Sequence, residues 1–221
     1  LKELINETSS VLLASNEDLN KSFQNVLEKT LEHTESEYGF FGEVFYENEN
    51  PYLKTYAITD ISWSEETKKF YDDNVEKGLE FKNLDTLFGY ALKHKENVIS
   101  NDPTNDKRRG GLPKGHPPLN AFLGIPLIHN EELVGMIGVS NKNNGYNKED
   151  LDNLEPFNKN LAAVIHLLKT ERKRKLAEEE IKKVKNELEN FFDLTNDFMC
   201  IANVDGTFHK VNKEFEEALG Y

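Results

Sequence analysis

Residues 101–146 read NDPTNDKRRGGLPKGHPPLNAFLGIPLIHNEELVGMIGVSNKNNGY. The part from Asn101 to Pro118 contains four prolines and three glycines and shows neither a helical nor a strand period. Irregular segments longer than about 12–15 residues are usually either functional or disordered. This one leads directly into apolar strands. We therefore expect an ordered loop that carries a binding site on a rigid scaffold.

Two apolar runs follow the loop, NAFLGIPLIH and LVGMIGVSNK, and the polar residues NEE join them. Nearly every position is apolar, so the pattern predicts a hairpin whose strands are covered on both faces. Pro126 lies inside the first run and cannot donate a backbone hydrogen bond to a neighbouring strand. Its position favours either an edge strand or a bulge.

The segments before the loop predict a mixture of helices and strands. Residues 1–14 and the segment after Asn16, which we expect to be its cap, have the apolar spacing of amphipathic helices. The segments YGFFGEVFYE and YLKTYAITDI are rich in aromatic and β-branched residues and predict two antiparallel strands. Two more helices are predicted over 62–78 and 85–96, with Ser64 and Asp85 as their caps, and NVIS predicts a short strand.

One long helical pattern follows, from about Lys148 to Phe192, and Asn147 is placed to cap it. Four apolar residues in its second half have the 3-4-3 spacing of a coiled-coil seam: Ile181, Val184, Leu188 and Phe191. A helix of this length cannot bury its whole surface on one small domain. The pattern therefore predicts a homodimer that forms through this helix.

The last residues predict a strand, an Asp205-Gly206 turn, a second strand and a short helix. About 30 residues are too few to bury a core of their own. We expect them to be the front part of a further domain.

Composition narrows the function classes. The 221 residues are 37% hydrophobic and 30% charged, with a net charge of −13. An acidic chain disfavours non-specific binding to nucleic acid and attraction to anionic membranes. The single cysteine, Cys200, excludes an internal disulfide framework and a multi-cysteine zinc site. With no apolar run of membrane-spanning length and no signal-peptide pattern, we expect a cytoplasmic location and no membrane contact for this segment.

The order of elements predicts an α+β fold, an antiparallel sheet flanked by helices. This order and residues 101–146 resemble the GAF domain, in particular the subgroup that precedes bacterial histidine kinases. The resemblance implies a GAF sensor domain over 1–168 that binds a small molecule between the sheet and the segments after its second strand.

The tail FFDLTNDFMCIANVDGTFHKVNKEFEEALGY resembles the first third of a PAS domain, through its DG turn and its N-x-x-F-x-x-x-LGY ending. The intervening helix resembles the coiled linkers that join GAF and PAS modules. The domain organisation implied is a GAF domain over 1–168, a helical linker over 169–190 and a truncated PAS segment over 191–221.

The loop concentrates positive charge in an acidic chain. Five side chains lie within ten positions, Lys107, Arg108, Arg109, Lys114 and His116. With the backbone N–H groups of Gly110, Gly111 and Gly115 they are suited to a carboxylate or phosphate. The alternative is that these cations neutralise nearby carboxylates such as Asp102 and Asp106.

Aromatic and apolar residues supply candidate walls for a planar ligand. Trp63 and Phe122 are the preferred members, with Tyr90 and Met136 beside them and Glu43 as the polar group from the sheet. The alternative for most of them is ordinary core packing.

Cofactor chemistry is restricted by what the predicted GAF region contains. It has no cysteine, which disfavours both covalent bilin attachment and the cysteine chemistry of the methionine sulfoxide reductases that share this fold. His116 has no second histidine at ligand spacing, so metal and haem binding are also disfavoured.

No nucleophile constellation, phosphate-binding glycine motif or carboxylate pair predicts catalysis. We expect a sensory module that binds an unidentified small molecule without a covalent bond and relays a change through a dimeric helix to PAS and output domains. A histidine kinase of a two-component system is the expected output, outside this chain. The alternative is a ligand-free GAF domain that serves only for dimerisation.

Overall fold

Six strands form one antiparallel sheet in the order β3-β2-β1-β6-β5-β4. Their bounds are β1 Tyr38–Glu47, β2 Asn50–Ile58, β3 Glu80–Phe81, β4 Val98–Ser100, β5 Phe122–His129 and β6 Glu132–Ser140. This computed structural model describes residues 1–11, 19–60, 62, 65–74, 77–111 and 116–220. The chain divides into two compact units, Leu1–Leu168 and Lys169–Tyr221, and the sheet belongs to the first.

Five helices accompany the sheet strands along the chain: α1 Lys2–Ser10, α2 Leu19–Thr34, α3 Glu65–Asn74, α4 Leu87–His94 and α5 Lys148–Leu194. Two apolar clusters lie against the sheet. The larger joins one face to α1, α2 and the first half of α5, through residues such as Phe23, Phe41 and Phe157. The smaller joins the other face to α4, through residues such as Val44 and Leu92. The predicted α+β fold, a sheet flanked by helices, is confirmed.

The β5–β6 hairpin forms as predicted, and residues on both of its strands contribute to both clusters. Pro126 is accommodated because β4 pairs only with residues Phe122 to Gly124 of β5. Beyond Gly124, β5 has no strand neighbour on that side within the described residues, and its pairing with β6 shifts between Leu127 and Ile128. A proline is tolerated in such surroundings because its missing N–H leaves no ladder bond unmade.

The cap of α4 differs from the predicted one. The sequence pattern pointed to Asp85, but the Thr86 hydroxyl accepts a hydrogen bond from the Gly89 backbone N–H at 3.1 Å. Asp85 lies one residue too early to reach that N–H group, and its carboxylate contacts Lys93 instead. The predicted caps Asn16 and Ser64 lie outside the described residues.

The long helix α5 is confirmed over 47 residues and includes Pro156 in an early turn. Asn147 caps it, because its side-chain oxygen accepts from the N–H groups of Glu149 and Asp150 at 2.7 and 3.2 Å. Apolar residues of its first half, from Leu151 to Leu168, pack into or against the larger cluster.

The second unit contains the end of α5, two strands and a short helix, namely β7 Cys200–Ala202, β8 Phe208–Val211 and α6 Lys213–Leu219. Gly206 occupies the turn with φ +88°. Asn212 connects these elements, since its side chain accepts from the N–H groups of Met199 and Phe215 and donates to the Asp197 carbonyl at 2.9 Å. The predicted strand–turn–strand–helix order is therefore present.

Candidate functional site

The loop between β4 and β5, residues 101–121, is held at its first residue by a side-chain amide. Asn101 donates from Nδ2 to the Tyr146 carbonyl at 2.9 Å, and its Oδ1 accepts from the Tyr146 N–H at 2.8 Å. The Tyr146 hydroxyl lies 2.7 Å from the Ser36 hydroxyl, and burial raises the pKa of this phenol to about 12. The start of the loop is thus tied to the segment before α5 and to the end of α2.

A second asparagine holds the other end of the loop. Asn141, which follows β6 and is buried, adopts φ +63°. Its Oδ1 accepts from the Asn120 N–H at 2.9 Å, and its Nδ2 donates to the Pro118 carbonyl and to Glu37, both at 3.0 Å. Both ends of the loop are therefore fixed by buried or half-buried polar contacts to the rest of the unit.

Arg108 is anchored inside the loop. Its Nε and Nη2 donate to the two Asp106 carboxylate oxygens at 2.9 and 2.6 Å, and Nη2 also donates to the Ile99 carbonyl at 3.0 Å. The guanidinium carbon lies 5.5 Å from the centre of the Tyr90 ring. The Arg108 guanidinium holds the pKa of the Asp106 carboxyl well below its usual range. Arg108 is therefore neutralised by Asp106, as expected if the loop cations pair with nearby carboxylates rather than with a ligand.

The remaining loop cations are placed differently. Lys107 and Arg109 are exposed, whereas His116 is half-buried and its Nδ1 lies 2.7 Å from the Pro117 carbonyl. Lys114 and Gly115 lie outside the described residues. Among the described cations of the loop, Arg108 is therefore anchored by hydrogen bonds, Lys107 and Arg109 are exposed, and His116 is half-buried.

Side chains fill the face of the sheet under α4. Phe122 and Met136 are buried in the smaller cluster, and both lie next to the Cα of Gly124. Tyr90, on α4, packs against the same cluster. Three further rings pack edge to face or tilted at centroid distances of 5.5–6.4 Å, namely Phe40, Phe81 and Phe88. Phe122, Met136 and Tyr90 thus lie on one face of the sheet, and other rings of the protein fill the space beside them.

Glu43 lies on the opposite face of the sheet. Alternate residues of a strand share a face, so Glu43 points to the same side as Phe41, towards α2 and α5. Its carboxylate accepts a hydrogen bond from the Tyr56 hydroxyl at 2.5 Å, and the Tyr56 ring stacks on Phe23 at 4.5 Å. Glu43 is therefore not brought together with Phe122 or Met136.

The structure thus gathers Tyr90, Arg108, Phe122 and Met136 around one side of the sheet. Trp63 lies outside the described residues. Sequence reasoning missed Asn101 and Asn141. Each directly follows a serine that ends a strand, and that repeated Ser-Asn pair was the available signal.

The four predicted seam residues of α5 are exposed on the surface of the second unit. Their exposed fractions are 68% for Ile181, 53% for Val184, 65% for Leu188 and 64% for Phe191. Exposed apolar side chains at heptad spacing form a surface suited to another helix.

A surface concavity of about 720 Å³ lies beside α3. Lys68 within it pairs with Asp60 at 2.6 Å and with Asp72 at 3.0 Å. The Lys68 ammonium and the Ser62 hydroxyl lower the pKa of Asp60 to about 2. All the residues that line this concavity are charged or polar, so it lacks the apolar walls of a typical small-molecule site.

Within the ranges described, no group of three or more His, Cys, Asp or Glu side chains is arranged to hold a metal ion. Within the same ranges, no helix combines the length and the apolar character that crossing a membrane requires.

Comparison with known proteins identifies the family to which this fold belongs. The family model described as GAF domain matches residues 16–166. The GAF domain of a phosphoenolpyruvate-protein phosphotransferase from Coxiella burnetii superposes with a TM-score of 0.59 at 18% identity, covering 77% of this chain and 94% of that one. The corresponding Acinetobacter domain gives a TM-score of 0.56 at 18% identity and covers 76% and 92%.

One curated relative, the methyl sulfide methyltransferase-associated sensor of Methanosarcina acetivorans, is 33% identical over 69 residues. The aligned stretch makes up 31% of this chain and only 7% of that sensor. The two structural likenesses show the fold alone, and the family model covers most of the first unit. This chain belongs to the GAF domain family.

Proposed function

We propose that this chain is the sensory module of a signal-transduction protein, which dimerises through α5 and relays a change near the 101–121 loop along that helix. GAF domains are typical regulatory modules of sensory proteins, so the proposed role is regulatory rather than catalytic. The observation that carries the proposal is the exposed row Ile181, Val184, Leu188 and Phe191, which continues the helix that packs on the sheet.

The exposed row is a source of binding free energy. Fully burying one such side chain contributes about 1.5–3 kcal/mol. Four of them on each of two helices are enough to offset the cost of association, which is on the order of 4–15 kcal/mol. A second copy of this chain presents the same row at the same spacing, so it is the simplest partner.

The ligand of this module is proposed to be a small molecule that binds without a covalent bond under the loop. Phe122, Met136 and Tyr90 supply apolar contacts, and Arg108 supplies an oriented cation beside them. The Asp106 and Ile99 contacts use Nε and Nη2 of Arg108, whereas Nη1 makes no hydrogen bond within the described residues. Binding requires the rings on this face to move, because they fill it in this structure.

The downstream partners are proposed from the resemblance of residues 191–221 to a PAS domain. The strand–turn–strand–helix order of the second unit supports it. A cytoplasmic two-component histidine kinase is the proposed output, in a part of the protein outside these residues.

A second candidate function is a ligand-free dimerisation module. One observation favours it: the α4-facing cluster is filled by the protein's own side chains, and Arg108 is already paired with Asp106. In that case the 101–121 loop stabilises the domain and does not cover a binding site.

Replacing Leu188 with aspartate tests the dimer. A carboxylate buried at the seam without a partner costs several kcal/mol, so the Leu188→Asp chain is expected to have the mass of a monomer in light scattering. Asn186→Asp, which adds the same charge on the outer face of the helix, is the matched control and is expected to leave a dimer. An unchanged mass for Leu188→Asp contradicts the dimer.

A metabolite thermal-shift screen, with native mass spectrometry of the purified chain, separates the two candidate functions. The sensory proposal expects at least one compound that raises the melting temperature, with the shift lost in Arg108→Ala but kept in Lys107→Ala. A screen without any stabilising compound, together with wild-type signalling by the Arg108→Ala parent protein, favours the ligand-free module.

A further inference from the structure

We infer that two copies of this chain pair along α5 in parallel and in register, and that charged residues beside the seam determine this orientation. The inference rests on the proposed dimer and adds its geometry. It depends on which side chains accompany the apolar row on the helix surface.

Heptad spacing assigns each residue of 173–192 a place relative to the seam. The first core position of each heptad is Arg174, Ile181 and Leu188, and the second is Ala177, Val184 and Phe191. The residues just before the first core positions are Lys173, Glu180 and Glu187. The residues just after the second core positions are Glu178, Lys185 and Phe192. These two flanking sets border the seam on its two sides.

A parallel, in-register pair brings opposite charges together. In that arrangement a residue before a first core position faces the partner residue that lies five positions further along. Lys173 then faces the partner's Glu178, and Glu180 faces the partner's Lys185. Two-fold symmetry repeats both contacts on the other side.

An antiparallel pair that buries the same apolar row brings like charges together. The residues just before the first core positions then face the same set of residues on the partner, and so do the residues just after the second core positions. Lys185 lies near the partner's Lys185, and Glu187 lies near the partner's Glu187. The flanking charges therefore favour the parallel orientation over the antiparallel one.

Arg174 favours the unshifted register. It occupies a core position at the N-terminal end of the seam, where it pairs with Glu171 at 2.6 Å and with Glu178 of its own helix. A slip by one heptad places this guanidinium against the partner's Ile181, inside the apolar row, whereas in the unshifted register Ile181 faces the partner's Ile181. Polar residues at a core position fix the register of coiled coils in this way, at a cost in stability.

Disulfide trapping tests the orientation, because Cys200 is the single cysteine of the chain. In a Cys200→Ser background, Val184→Cys is expected to form an intermolecular disulfide on mild oxidation, since the two copies of position 184 face each other only in the parallel register. Asn186→Cys on the outer face is the control and is expected to remain reduced.

Three outcomes separate this inference from the proposed dimer. A Val184→Cys chain that has the mass of a dimer when reduced, and that forms the disulfide on oxidation, supports both the dimer and its parallel orientation. A dimer that fails to cross-link at 184, but cross-links when Val184→Cys and Leu188→Cys chains are mixed, overturns the parallel orientation and keeps the dimer. A monomer mass at all concentrations overturns the proposed dimer itself.

Charge exchange tests the flanking contacts. Lys185→Glu turns two attractive contacts into two repulsive ones and is expected to raise the dimer dissociation constant about tenfold. The double change Glu180→Lys with Lys185→Glu is expected to restore it to within about threefold. Lys182→Glu, away from the seam, is the matched control. If the dissociation constant of the double variant instead rises by the product of the two single effects, the assigned pairing of Glu180 with Lys185 is contradicted.

Discussion

Asn141 connects three parts of the first unit with one side-chain amide. It reaches the end of the loop through Asn120 and Pro118 and the start of β1 through Glu37. Its left-handed backbone, with φ +63°, is one that asparagine adopts more readily than other residues with a Cβ atom. The side chain and the backbone therefore require the same residue type at this position.

Replacing Asn141 with alanine is expected to lower the free energy of unfolding by about 3 kcal/mol. The buried partners lose their hydrogen bonds and alanine strains the left-handed backbone. Urea denaturation measures the change. Asn141→Gly relieves the strain only and is expected to fall between alanine and wild type, whereas exposed Asn144→Ala is expected to change stability by less than about 0.5 kcal/mol. Equal effects of Asn141→Ala and Asn144→Ala contradict this role.

The Asp106–Arg108 pair predicts a pH dependence. The pKa of Asp106 is lowered in the folded chain, so the unfolded chain binds a proton first as the pH falls. The contribution of this pair is therefore complete above about pH 4, the ordinary range of an aspartate, and decreases below it. Asp106→Asn is expected to destabilise the fold by about 2 kcal/mol at pH 7, and this difference is expected to shrink below pH 4.

Denaturation series at several pH values check this dependence. Asp152→Asn, on an exposed part of α5, is the control and is expected to leave the profile unchanged. A difference between wild type and Asp106→Asn that stays constant down to pH 2.5 shows that the carboxylate is not stabilised by Arg108.

At the scale of elements, α5 has two different halves. Residues such as Phe157, Leu161 and Ile165 bury one side of the first half in the larger cluster. The second half exposes its apolar row, and Thr170, Arg174 and Ala177 interrupt that row near the junction of the two units. The apolar row is therefore continuous from Ile181 to Phe191 and interrupted in the residues that directly follow Leu168.

Arg174→Leu is expected to extend the seam and lower the dimer dissociation constant at least tenfold, because a buried leucine replaces a charge at a core position. Sedimentation of serial dilutions measures this change. Lys175→Leu removes the same charge at a neighbouring position outside the seam and is the control. Equal tightening in both variants indicates a general effect of charge rather than packing at the seam.

Local patterns explain why the elements were predictable. The apolar runs of β5 and β6 and the helical pattern of α5 are each readable within a short window, and the hairpin and the helix are both present. The side of the sheet that Glu43 faces was not readable. The pairing of β1 with β2 shifts beside Phe41 and Gly42, so that Tyr56 is the extra residue that reaches Glu43. No local pattern locates such a bulge.

The contacts of the candidate site were the least predictable. Asn101 binds backbone atoms 45 positions away, and every residue offers the same backbone groups. Sequence patterns cannot single out Tyr146 as that partner. The bond between Asp106 and Arg108, two positions apart, was foreseeable as one of two alternatives for the loop cations.

At the scale of the whole molecule, the two apolar clusters lie entirely within Leu1–Leu168. Among the described residues after Leu168, none is a member of either cluster. The first unit therefore contains the core that a domain requires to fold by itself.

A fragment of residues 1–168 is expected to fold cooperatively and to be a monomer, since it keeps both clusters and lacks the apolar row. Circular dichroism melting and light scattering check the two properties. The full 221-residue chain is the control and is expected to be a dimer. A dimeric fragment shows that the sheet unit carries an interface of its own, and an unfolded fragment shows that the rest of α5 is needed for folding.

Because two asparagines hold the ends of the 101–121 loop, we expect its middle to tolerate replacement by another sequence. Asn101 and Asn141 fix the ends, so a change of length between Arg109 and His116 alters neither anchor. Doubling the length of a flexible segment costs only about 0.6 kcal/mol of closure entropy. We therefore expect the domain to keep its fold when a foreign binding sequence is grafted between the two anchored ends.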